Sequence, residues 1–165
     1  MNRKKLFTLR TIFIILTLSV MVTIFVLSAD NADESNAKSD VLADSFVYSV
    51  LALFDLSDEE IQQVIDVSVF IVRKTAHFAE YAVLGFLTAC VCTSFYLKTK
   101  QTLLISSATG ILYAISDEIH QYFVPGRACQ IRDVLIDSSG VITGIVFLFI
   151  ILFIYRYIQK KKMQT

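Results

Sequence analysis

Residues 102–124 read TLLISSATGILYAISDEIHQYFV. The run is long enough for a hydrocarbon core of about 30 Å, which takes roughly 20 helical residues. Its last turns nevertheless carry Asp117, Glu118, His120 and Gln121. An ionisable side chain inside a bilayer costs roughly 2.5–3.5 kcal/mol even on lenient insertion scales, so such a cluster marks a functional site by default. The reading is a membrane helix that ends in a polar pocket.

Three further runs have similar reach: Thr11 to Ala29, Ala76 to Leu97 and Val134 to Tyr155. Hydrophobic residues make up 55% of the chain, the mean hydropathy is +0.63 and there is one Pro, so lipid is the main solvent. The expected fold is all-α: a four-helix transmembrane bundle with short amphipathic interfacial helices between the first and second spans. It divides into residues 1–29, the cytoplasmic start and first span; 30–75, an extracytoplasmic loop; and 76–165, three spans and a basic tail.

Orientation follows from the basic residues near the span ends. Arg3, Lys4, Lys5 and Arg10, then Lys98 and Lys100, then Arg156, Lys160, Lys161 and Lys162 occupy one side, in segments without Asp or Glu. The other side mixes Lys38, Arg73, Lys74, Arg127 and Arg132 with many acids. A multi-pass protein of the cell membrane with both termini in the cytoplasm is expected. Leu27-Ser28-Ala29 superficially fits a signal-peptide cleavage site, but Leu27 suits one poorly and the apolar run is overlong, so an uncleaved anchor is expected. Cys90, Cys92 and Cys129 are not placed to pair.

Between the first two spans, Asp30 to Asp40 reads as a solvated loop and Val41 to Phe54 as an amphipathic helix. Ser57-Asp58-Glu59-Glu60 reads as a capping box opening a second short helix, which meets Arg73 and Lys74 at the membrane border. Both basic residues have stems long enough to snorkel to lipid phosphates.

Counted from the cytoplasmic border, about 20 residues of hydrocarbon end near Phe78, Gln121 and Ile136, so the polar groups of three spans share one level. Helical spacing also gives each a single face. His77, Glu80, Tyr81, Leu84 and Gly85 form the first; Gly110, Tyr113, Ala114, Asp117, His120 and Gln121 the second; Asp133, Asp137, Gly140 and Gly144 the third. The pocket should open outward and close inward on small residues.

Plain structural roles compete for several of these. His77 and Glu80 form a mutually satisfied pair in one reading, Asp133 an N-cap, and Gly140 with Gly144 a packing motif. Asp137, Asp117 and Glu118 resist such explanations, because adjacent acids point about 100° apart on a helix and polar company must reach both. Pro125-Gly126 turns the chain, after which Arg127 and Arg132 flank the acids. They either balance Asp117, Glu118 or Asp133, or grip a phosphate or carboxylate of an arriving ligand.

Three linked motifs resemble the VanZ-like family of small membrane proteins: Arg73-Lys74-Thr75-Ala76-His77-Phe78-Ala79-Glu80-Tyr81, Ser116-Asp117-Glu118-Ile119-His120-Gln121 running on to Arg127, and Arg132-Asp133-Val134-Leu135-Ile136-Asp137 with Gly140 and Gly144. The resemblance covers the last two thirds of the chain. It implies a four-helix protein of the bacterial envelope, related to the accessory protein that raises resistance to the glycopeptide teicoplanin, and it brings no settled reaction. Some relatives carry Asn where this chain has Asp137.

Two functions compete. In the first, an outward pocket built from Tyr81, Gln121, Arg127, Arg132, Asp133 and Asp137, with Lys74 at its rim, binds an envelope lipid or lipid-linked cell-wall precursor. In the second, an intramembrane enzyme uses Asp117 or Glu118 as acid or base, with His77, Glu80 and His120 assisting. Metal held by His77, Glu80, Asp117 and His120 matches no recognised ligand pattern, so no metal, no cofactor and no nucleic-acid partner are expected. Transport ranks below both and calls for a homo-oligomer.

Overall fold

The computed structural model describes residues 3–30 and 57–163. The amphipathic helix expected over Val41 to Phe54 lies outside them. Four helices are described: α1 (Arg3–Ser28), α2 (Asp58–Ser94), α3 (Thr99–Tyr122) and α4 (Ile131–Lys162). The described residues contain helices and connecting turns and no strand, as the apolar periodicity requires.

Helices α1, α2 and α4 are long and apolar enough to cross a membrane. Helix α3 has 24 residues, about 36 Å at 1.5 Å per residue, so it has the length but not the composition. The reason lies in its faces. Its buried residues are Thr102, Ser106, Gly110, Ala114, Asp117, Glu118 and Gln121. Leu103, Leu104, Leu112, Ile115 and Ile119 point outward instead. A polar stripe turned inward and an apolar face turned outward is the arrangement lipid selects.

Helix α2 corrects one expectation. The segment opened by Ser57 does not stop as a separate interfacial helix but runs unbroken for 37 residues, about 55 Å. The capping box is present, with Glu60 accepting from the Ser57 backbone N–H at 2.9 Å. No Gly or Pro stands between that cap and Gly85 to interrupt the ladder.

Helices α2 and α4 form the centre of the bundle. A Cβ on Gly85 would strike the Val141 carbonyl, one on Gly140 the Phe78 carbonyl, and one on Gly144 the Ala82 carbonyl. The two backbones therefore touch along a stripe of glycines, close enough for dense van der Waals packing without any hydrophobic drive. Tyr81, Leu84, Ala89, Val141, Ile145 and Leu148 continue this core, joined by Ile24 of α1 and Ala114 of α3.

At one end of the bundle Arg10 donates from Nε to the Ser94 carbonyl at 3.0 Å, and its guanidinium lies 4.4 Å from the Phe95 ring. At the other end α3 stops at Tyr122, and Gly126 turns the chain at φ 77° before α4 begins. That second end carries the polar residues.

Candidate functional site

Asp117 sits where α1, α2 and α3 meet, 3% exposed. Its Oδ2 accepts from Ser28 Oγ at 3.0 Å and from Gln121 Nε2 at 3.1 Å. Tyr81, with no exposed surface, places its hydroxyl beside the same carboxyl, close enough to interact with it though short of a well-formed hydrogen bond. Tyr81 OH and Asp117 Oδ1 are both left without a hydrogen-bond partner.

Asp137 of α4, also buried, completes the convergence. Donor atoms of His77, Asp117 and Asp137 lie within 4.8 Å of one another, one from each of three helices. Glu80 is half-buried on α2, within electrostatic reach of Asp117. His120 goes elsewhere: its ring stacks on Phe25 of α1 with centroids 4.4 Å apart, and Nε2 has no partner. Imidazole and phenyl faces packed in this way join α3 to α1.

Glu118 faces the turn before α4. Its Oε1 accepts from the Gln130 backbone N–H at 2.8 Å, while Oε2 is buried without a partner. A carboxylate thus fixes the chain at the start of α4, the role a loop with few backbone partners needs filled.

Two expectations change at the rim. Asp133 is not the N-cap of α4. Gln130 holds that position, and Asp133 lies in the first turn, where a negative charge favours the helix dipole. Lys74 does not snorkel to lipid but pairs with Asp133, their side chains only 15% and 14% exposed. Arg132 Nε stands 3.9 Å from the other oxygen of Asp133, with its guanidinium 4.9 Å from the Phe70 ring.

Above the buried acids opens a polar pocket of about 170 Å³, walled by Arg73, Lys74, His77, Gln121, Arg127, Arg132 and Asp133, with Phe70 at one side. Arg127 is half-buried. Burial lowers the pKa of its guanidinium from the ordinary value, and the neighbouring Arg73 charge adds to this, against Asp117, Asp30 and Glu118. A smaller cavity of about 10 Å³ beneath it is lined by Lys74, His77, Glu118, Gln121, Asp133 and Asp137. Beside both runs a more apolar groove of about 330 Å³ lined by Phe70, Ile71, Lys74, Thr75, Phe78, Arg132 and Ile136.

A family model described as VanZ/LLP1 matches residues 13–153. The chain belongs to the VanZ-like family. The match takes in α1 from residue 13 onward, so it reaches well before the motifs that start at Arg73. No curated protein and no solved structure matches the chain.

Membership in the VanZ-like family and membrane-crossing helices make this a VanZ-like membrane protein. Of the site residues read from sequence, His77, Tyr81, Asp117, Gln121 and Asp137 converge, Arg127, Arg132 and Asp133 wall the pocket above them, and His120 stands apart. Ser28 was not legible as a site residue. Its only signal is a hydroxyl at the end of a span that also carries Thr17, Ser19 and Thr23, which reads as a plain helix end.

Proposed function

We propose that the pocket binds the phosphate-bearing headgroup of an envelope lipid or lipid-linked cell-wall precursor, and that this VanZ-like protein contributes in that way to teicoplanin resistance. One observation carries the reading: the polar pocket and the apolar groove share Phe70, Lys74 and Arg132. A ligand that fits both at once is an amphiphile, with its charged head against Arg127 and its chain along Phe78 and Ile136. Arginine suits the head because its planar fork matches phosphate oxygens in pairs.

The basic segments near the termini support an outer position for the pocket, the side where lipid-linked precursors meet glycopeptides. Occupying such lipids lowers the access of a lipid-tailed glycopeptide to them. Replacing Arg127, Asp117 and Glu118 singly by Ala, with teicoplanin susceptibility read beside membrane abundance, tests this. Arg127→Ala should restore susceptibility at normal abundance. Unchanged resistance at normal abundance would reject the reading.

A second reading is supported by the unpartnered oxygens of Asp117 and Glu118. A buried carboxyl poised beneath a headgroup site is placed for acid or base chemistry on a lipid-linked substrate. Turnover of such a substrate by the purified protein, abolished in Asp117→Asn, distinguishes an enzyme from a binder.

A further inference from the structure

We propose that His77, Asp117 and Asp137 form a binding site for one divalent transition-metal ion, of the Zn²⁺ or Mn²⁺ type, on the floor of the pocket. The three side chains come from α2, α3 and α4, and their donor atoms lie within 4.8 Å of one another. Ions of this type hold imidazole nitrogen and carboxylate oxygen at about 2.0–2.2 Å, so small side-chain torsions close the spacing onto one ion. One imidazole and two carboxylates form a mixed N/O set, which favours these ions over purely oxygen-seeking ones.

Independent observations point to a ligand here. Asp117 is 3% exposed and its Oδ1 has no hydrogen-bond partner, although Oδ2 has two. Leaving one oxygen of a buried carboxylate unmet is unfavourable, and an ion bound there offsets that cost. Tyr81 brings a fully buried hydroxyl to the same carboxyl, short of a well-formed hydrogen bond. The cavity of about 10 Å³ bordered by His77 and Asp137 has room for one water-sized occupant. Ser28 and Gln121 hold the carboxyl of Asp117 from behind, as groups behind a metal ligand do.

This set differs from the one sequence spacing offers. The His120 ring is stacked on Phe25 and lies outside the convergent donor set, to which Asp137 supplies a carboxylate. The site shares the pocket with the proposed headgroup but does not rest on lipid binding, and its test contains no lipid ligand.

The full-length protein in detergent, stripped with chelator, is dialysed separately against Zn²⁺, Mn²⁺ and Ca²⁺, and bound metal is counted by elemental mass spectrometry. One Zn²⁺ or Mn²⁺ per chain is expected, with affinity reduced at least about tenfold in His77→Gln and Asp137→Ala and retained in His120→Gln. Gel filtration and circular dichroism establish that each variant is folded; if either ligand variant is not, the wild-type stoichiometry and His120→Gln decide. No stoichiometric Zn²⁺ or Mn²⁺ in the wild type, binding of Ca²⁺ alone, equal affinity in folded ligand variants, or loss in folded His120→Gln would each overturn the assignment.

Discussion

Ser28 and Asp117, 89 residues apart in sequence, share a buried hydrogen bond of 3.0 Å between the end of α1 and the polar end of α3. The contact ties the first helix to the acidic cluster. Ser28→Ala removes one of two donors to a buried carboxylate, a loss of about 1–3 kcal/mol. The variant should insert normally but unfold at a lower temperature in detergent, by several degrees. An unchanged melting temperature would show that the hydroxyl is dispensable.

The glycine stripe gives an ordered pair of effects. A Cβ on Gly144 meets the backbone carbonyl of Ala82, whereas one on Gly110 meets only the side chain of Val141, at 2.5 Å. Backbone held in a helix cannot yield as a side chain does. Gly144→Ala should therefore destabilise more than Gly110→Ala, at the upper end of the roughly 1–3 kcal/mol typical of overpacking. Thermal unfolding of the two variants side by side is the comparison, and the reverse order would contradict backbone contact between α2 and α4.

Lys74 and Asp133 are mostly withdrawn from solvent. Removing either leaves its partner's charge stranded, so Lys74→Met and Asp133→Leu should each lower stability, and the double variant should recover part of the loss. A coupling of about 0.5–3 kcal/mol is expected. Strict additivity in the cycle would mean the pair is not energetically linked.

Cys129 is exposed in the turn before α4, while Cys90 and Cys92 are buried. A membrane-impermeant maleimide added to intact cells should label Cys129 alone. Labelling only after lysis would place the pocket on the cytoplasmic side and remove the outer-leaflet reading.

The path from sequence to fold was direct where one physical rule decided the matter. Apolar runs of bilayer length located the helices, and the facing rule put Tyr81, Asp117 and Asp137 on inward stripes. Gly140 and Gly144 announced a close packing face, which the α2 and α4 backbones form. Where two rules competed, sequence was silent. Arg73 and Lys74 read as a membrane border, yet α2 continues through them with no Gly or Pro to break it, and Lys74 finds Asp133 across the pocket. Helical spacing aligned His120 with Asp117, but the 4.4 Å stack on Phe25 claims the ring. Ser28 lay beyond reach because its role exists only once α1 docks on α3.

The most direct test of the pocket is the binding of polyprenyl diphosphate to the protein in nanodiscs, followed by native mass spectrometry, with the uncharged polyprenol as reference. The wild type should retain the diphosphate and not the alcohol. Arg127→Ala should weaken retention by about tenfold or more, the loss expected for a hydrogen bond between charged groups, and Arg127→Lys by less. Equal retention of alcohol and diphosphate, or full retention by folded Arg127→Ala, would contradict a headgroup site at Arg127.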